Sequence, residues 1–217
     1  MVEFTFWDIA RQLLIALRWT VGLSLIAFAG GSLLGLLLLV LRTARLPGAV
    51  RGVSLYVQLF QGTPLLMQIF MVYFGLALAG INASPLLAAS ACLILYASAY
   101  LCEIWRGCVE AVPRGQWEAS ASLAMGFGQQ LRHVVLPQAA RLAIPPTAGF
   151  LVQIVKGTAL TSVIGFVEIT KAGQLIANVT YEPFLVYGCV AALYFALCFP
   201  LSLWSQRLER RLRPASR

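Results

Sequence analysis

Long apolar runs, separated by short basic stretches, organise this chain. Five of them, residues 19–41, 53–79, 85–105, 144–167 and 183–204, each hold about 20 or more mostly apolar residues, the length that carries a helix across a bilayer. Ten-residue segments of alternating polarity are absent, which excludes an outer-membrane barrel. The pattern therefore predicts an all-α transmembrane protein with five spans. Ahead of the first run, Phe6, Ile9, Leu13 and Leu17 recur at helical spacing. Residues 1–18 are expected to form an amphipathic segment lying along the outer membrane surface. The opening MVEFTFWDIARQ has acids and an aromatic pair where a cleavable leader would be basic, so no cleavage is expected.

Composition agrees with the pattern. Of 217 residues, 60% are hydrophobic and 11% charged, against about 45–50% and 25% in soluble domains. The net charge of +8 could suggest nucleic acid, but its distribution says otherwise. Arg42, Arg45 and Arg51 follow the first run. Arg106, Arg114, Arg132 and Arg141 lie in the third-to-fourth connection, and Arg207, Arg210, Arg211, Arg213 and Arg217 end the chain. These are 12 of the 16 Lys and Arg, whereas the loops 80–84 and 168–182 hold only Lys171. By the positive-inside rule the N-terminus faces out and the C-terminus faces the cytoplasm. The expected organisation is an outer segment at 1–18, a transmembrane domain at 19–206 with a cytoplasmic loop at 106–143, and a basic tail at 207–217. Cys92, Cys102, Cys108, Cys189 and Cys198 fit no metal or redox spacing. Five spans cannot divide into equal inverted halves, so a transport path would need a second subunit.

The loop at 106–143 is the least membrane-like part. A short helix is expected over about 116–125, broken by Gly126 and Gly128, then a second over about 128–135 and a third beginning at Pro137. Ala119, Ser120, Ala121, Ser122 and Ala124 are all small, Glu118 stands near the start, and Leu123 and Met125 serve as anchors. Two readings stand: a docking helix that enters a groove on another protein, or an interfacial helix packed beneath the spans.

Glu118-Ala119-Ser120, followed after a gap by Leu136-Pro137, resembles the EAA loop of ABC-importer permeases. The pieces QGTPLLMQIFMVYFGL at 61–76, AYLCEIWRG at 99–107, VPRGQWEA at 112–119, RHVVLPQAAR at 132–141 and KGTALTSVIG at 156–165 are similar to the polar amino acid branch (histidine, glutamine, arginine and opine permeases). They span nearly the whole chain in order. The resemblance implies a type I importer permease core with a coupling helix, carried by Gly115, Glu118, Ala119, Ser120, Ala124 and Gly126, seated in a cytoplasmic ATP-hydrolysing subunit. It further implies two ATP-binding subunits, a second permease subunit, and an external amino acid-binding protein. No cofactor is expected on this chain, and ATP and Mg²⁺ would sit on the partner subunit. A GxxxxGK[ST] phosphate loop is missing from the sequence, so the chain is not expected to be an enzyme. Two positions depart from the family pattern. Ala124 stands where glycine is usual, which suggests a turn shifted to Gly126, and Ser120 replaces alanine.

Polar residues inside spans are costly and face the bundle or a wet cavity. With Gln58 as origin, Ser54, Gln61 and Gln68 fall within about 80° on a helical wheel, a polar stripe with a bend expected at Pro64. Gly62-Thr63-Pro64 would free carbonyls for substrate near mid-membrane. The stripe lines a path or serves as interhelical glue. In the fourth span Gln153 and Lys156 share a side, flanked by Gly149 and Gly157 within about 40° of Gln153. Lys156 either snorkels outward or pairs with a carboxylate, Glu168 or a substrate's. Thr158, Thr161 and Ser162 add hydroxyls toward the outside. Family members carry acids or amides where Gly149-Phe150 stand, and an acid where Gly157 follows the lysine. The resemblance with those carboxylates missing implies a neutral or acidic polar amino acid rather than a cationic one. Glu103 and Arg106 read as a boundary ion pair or a gate, and His133 as a solvated loop residue. The alternatives are an ATP-independent transporter or channel, a membrane scaffold, and an importer of opines or basic amino acids.

Overall fold

The computed structural model describes residues 5–43 and 47–212, and every regular element among them is helical. Arg45, Arg213 and Arg217 lie outside the described residues. The elements are α1 (Phe6–Thr43), α2 (Pro47–Gly62), α3 (Leu65–Leu78), α4 (Pro85–Glu110), α5 (Arg114–Ser122), α6 (Phe127–Gln130), α7 (Leu136–Thr158), α8 (Ile169–Thr180) and α9 (Pro183–Leu212). Four continuous helical stretches are long and apolar enough to span a bilayer, and the bent α2–α3 pair makes a fifth when its two halves are taken together.

The first helix corrects the sequence reading. Residues 6–18 are not a separate surface-lying segment but the opening turns of one 38-residue helix. The amphipathic spacing is real, yet its apolar face meets protein. Ile9, Leu13 and Ala16 are buried against Ile169 and Ile176 of α8 and Val186 and Val190 of α9. Phe6 is left largely exposed.

Farther along, α1 lies against α4 almost backbone to backbone. A Cβ added to Gly31 would stand 2.4 Å from Ala97 Cβ, and one added to Gly35 would stand 3.0 Å from the Ser98 carbonyl oxygen. The spacing Gly31-x-x-x-Gly35 is the small-residue interface that helices use in lipid, where close packing replaces the hydrophobic drive. Around it Leu23, Ala27, Ile69, Leu93, Leu101 and Ile154 form the main core.

Span two is no straight helix. Its halves meet at 108° across Thr63-Pro64, so Gln58 and Gln68 do not share one continuous face. Proline lacks the N–H and its ring obstructs the preceding turn, which locates the break.

Beyond α5, the chain runs nearly unbroken through α6, a π-helical stretch Leu131–Val135 and α7. The break expected at Gly128 does not occur, and Pro137 continues a helix rather than beginning one. Proline at 137 removes the bond that the His133 carbonyl would receive, and the widened π turn absorbs the vacancy. Trp105 Nε1 donates to Thr147 Oγ1 at 2.9 Å, fastening α4 to α7.

Candidate functional site

The helix expected to dock, α5, ends at Ser122 rather than at 125. Its inner side is Ser120, buried, and Trp117, packed near Val112, Val135 and Ala139. Trp117 also stacks on Phe127 with centroids 6.1 Å apart, joining α5 to α6. Gly115, Glu118, Ala119 and Leu123 are exposed together. Leu123 is 77% exposed, so it presents an apolar side chain outward and does not anchor the helix. Ser120 is the converse: its hydroxyl donates to the Trp117 carbonyl at 2.8 Å, inside the fold.

The end of α5 settles where the turn lies. Ala124 adopts φ 56°, the left-handed region. Its N–H donates to the Ala121 carbonyl at 2.9 Å, and the Met125 N–H to the Ser120 carbonyl at 3.3 Å. Those two bonds are a Schellman ending, which favours glycine at the left-handed position. The turn has not shifted to Gly126, which keeps a negative φ and starts α6 with its N–H donating to Gln129 Oε1 at 3.0 Å. Alanine there costs roughly 1–2 kcal/mol of left-handed strain.

At the break in span two, two of the freed carbonyls, those of Phe60 and Thr63, accept from a side chain of the next helix. Gln68 Nε2 reaches back to the Phe60 carbonyl at 2.8 Å, the Thr63 carbonyl at 3.0 Å and Thr63 Oγ1 at 2.9 Å. Thr63 Oγ1 in turn donates to the Leu59 carbonyl at 2.7 Å. The Thr63 carbonyl is thus engaged within the fold, while α3 begins with no side chain capping its N-terminus. The N–H groups of its first turn have no intrahelical acceptors. Gln68 Oε1 is buried there with no partner among the described residues. Besides backbone carbonyls, the break thus presents N–H donors and the Gln68 amide oxygen.

The remaining candidates divide by exposure. Gln58, Gln61, Thr63, Gln153 and Lys156 are exposed. Phe150 is a core residue, its ring 5.4 Å from that of Tyr100 and 6.2 Å from that of Tyr96. Thr161 is buried, its hydroxyl donating to the Thr158 carbonyl at 2.6 Å. A Cβ on Gly149 would lie 3.2 Å from Ser205 Oγ. One on Gly157 would lie 3.2 Å from Leu65 Cδ2, so the missing side chain lets the start of α3 approach α7. Here the two sets of candidates meet.

Lys156 and Glu168 do not pair. Lys156 lines a groove of about 480 Å³ with Tyr194, Phe195 and Phe199. Glu168 is fully buried and caps α8: Oε1 accepts from the Lys171 N–H at 2.9 Å, and Oε2 accepts from the Tyr194 hydroxyl at 2.6 Å and Thr20 Oγ1 at 3.5 Å. Thr20 Oγ1 accepts from the Ile169 N–H at 3.2 Å. Burial pushes the Glu168 carboxyl above its ordinary range. Sequence reasoning gave it no role as a cap, although Glu168 directly before the 169–180 helix was a signal.

At the opposite end, Glu103 accepts from Arg106, as the i,i+3 spacing implied, and also from Arg42 of α1 at 2.9 Å. Arg106 reaches Glu110 as well. His133 is exposed, with Nδ1 3.1 Å from the Gln129 carbonyl.

Residues 31–214 match the family described as binding-protein-dependent transport system inner membrane component. The L-cystine transport system permease protein TcyB of Bacillus subtilis is 33% identical over 213 residues, covering 98% of this chain and 90% of that protein. The glutamine transport system permease protein GlnP of Escherichia coli is 31% identical over 209 residues, 95% of each. A crystal structure of an amino acid ABC transporter with histidines superposes with a TM-score of 0.91 at 31% identity, covering 97% of this chain and all of that one. The MetNI methionine ABC transporter shares the fold, with a TM-score of 0.75 at 22% identity. ATP hydrolysis in such systems belongs to a separate subunit, so this chain is the membrane part and not an enzyme. The chain belongs to the inner-membrane permease components of binding-protein-dependent ABC transport systems.

Proposed function

We propose that the substrate is a polar amino acid, neutral or acidic, and that it is read at the break between α2 and α3. The observation that carries this is the pairing of uncapped N–H groups at the start of α3 with the unspent acceptor Gln68 Oε1. A half-helix N-terminus inside a membrane favours a carboxylate, because its N–H groups and dipole point at the ligand. The acceptor suits an ammonium. Both charges of an amino acid would be recognised at the break by backbone and amide groups. The glutamine and cystine systems named above point the same way.

Around that reading, Gln58, Gln61 and Thr63 line the approach from α2, and Gln153 and Lys156 line it from α7. Gly157 gives the space that brings α3 close. Gly149, Phe150 and Thr161 support the path from behind. The N-terminus lies outside and the end bearing Arg42, Arg106 and α5 is cytoplasmic. A second permease completes the path. Two ATP-binding subunits, holding ATP and Mg²⁺, seat on the exposed face of α5, and the external binding protein delivers at loops 80–84 and 168–182.

The test is uptake of radiolabelled glutamine by proteoliposomes holding the permease, its ATPase subunits and its binding protein. Unlabelled neutral and acidic polar amino acids are expected to compete. Arginine displacing all of them would overturn the substrate assignment. Replacing Gly157 with leucine pushes against Leu65 and is expected to raise KM while leaving assembly intact.

A further inference from the structure

A cavity of about 1070 Å³ opens between the end of α1, the first turns of α2, the end of α4 and the α5–α6 turn. Ligand cavities commonly run to roughly 300–1000 Å³, so this one is at the large end. Four guanidinium groups line it: Arg42, Arg51, Arg106 and Arg114. Arg42 and Arg106 are spent on Glu103, and Arg106 also on Glu110. Arg51 and Arg114 are exposed, and neither has a carboxylate within ion-pair distance among the described residues.

Arg114 gains nothing from its own helix. It is the first residue of α5, where the dipole already disfavours a cation. Arg51 and Arg114 thus face one space with no internal counter-charge of their own among the described residues. Between the arginines the walls are mostly apolar, including Leu39, Val50, Val109 and Leu131, with Thr43 and the Arg106-paired Glu110 carboxylate as the other polar lining. Arg51 also heads a line along α2: Leu55 and Leu59, one and two turns on, are 69% and 60% exposed. A charged end followed by an exposed apolar track is the shape of an amphiphile.

We infer that this cavity holds the phosphate of an anionic phospholipid, with Arg51 and Arg114 on the phosphate and an acyl chain along Leu55 and Leu59. The inference rests on the orientation proposed above, which puts the cavity at the cytoplasmic leaflet, where anionic lipids attract basic residues. Inorganic phosphate shares the charge but has no use for the apolar track. An acidic surface of the ATPase subunit is the competing occupant.

The test uses the transporter purified with its ATPase subunits into phosphatidylcholine nanodiscs containing a minority of phosphatidylglycerol. Native mass spectrometry counts retained phosphatidylglycerol, and ATPase co-purification is followed separately. The wild type is expected to retain phosphatidylglycerol, with retention falling about fivefold or more in R51Q/R114Q and recovering in R51K/R114K. Millimolar inorganic phosphate is expected to leave it in place. Equal retention in all three proteins overturns the inference. So does displacement by phosphate, which would assign a free-anion site, or loss of the ATPase subunit in R51Q/R114Q with lipid retained. An unfolded R51Q/R114Q is recognised by its gel-filtration profile, and the test then passes to L55Q/L59Q, whose retention must fall for the inference to stand. Lipid retention is read without transport, so failure of the substrate assignment leaves this result distinct.

Discussion

Two helix ends in this molecule face the same problem and answer it differently. Where the second span breaks at Thr63-Pro64, broken carbonyls lie in a bilayer-spanning segment, and a side chain from the next helix satisfies those of Phe60 and Thr63. Where α5 stops at Leu123, the end is closed by the backbone alone, through an alanine held at φ 56°. In hydrocarbon an unsatisfied carbonyl costs several kcal/mol, so the break must be over-determined. At a surface, water is an alternative partner, and strain of roughly 1–2 kcal/mol is tolerated. Damage at the first end is therefore expected to appear as instability, and damage at the second as altered coupling.

The sharpest separation comes from Ala119→Trp. The exposed face of α5 then carries a bulky ring, and ATPase stimulation by loaded binding protein should fall at least tenfold. The thermal midpoint of the permease itself should hold. Intact coupling would show that α5 does not dock. Next, Gln68→Leu removes the donors that close the break, and destabilisation of about 2–4 kcal/mol is expected by denaturant titration in detergent. A loss below half a kcal/mol would make the two ends alike.

Glu168 provides a third helix end, sealed by a buried carboxylate. Its raised carboxyl range means the folded state binds more protons than the unfolded one between the ordinary value and the raised one. Stability should therefore fall as pH rises through that window. Thermal melts of the wild type should show this decline and those of Glu168→Gln should not; parallel slopes would remove Glu168 from the account. The smallest effect belongs to Ala124→Gly. Relief of left-handed strain exceeds glycine's extra chain entropy of about 0.4–1 kcal/mol, leaving a gain near 1 kcal/mol. The reverse change of strain, Ala124→Val, should lower stability and loosen ATPase binding in pull-down.

Much of this contrast was visible in the sequence, but only as composition. Apolar length gave the helices, and Pro64 gave the place of the break. The left-handed turn could be suspected from Ala124, which stands where the family has glycine. The angle of the break could not be read, because the sequence does not say that Gln68 folds back on Phe60 rather than pointing into a path. Periodicity identified the buried face at Ile9 and Leu13 without identifying its partner, since protein and lipid reward the same residues. The surroundings of Phe150 could not be read for a related reason: only the fold shows its ring turned to the core and stacked on Tyr100.

The unbroken first helix has a mechanical consequence. At 1.5 Å per residue, its 38 residues make a rod of about 57 Å, nearly twice the hydrocarbon thickness. The smooth contact of Gly31 with Ala97 makes a natural fulcrum. From there, Arg42 is about 17 Å away and Ile9 about 33 Å away. A rocking of the Arg42 end against α4 would be roughly doubled at the Ile9 end, beneath α8.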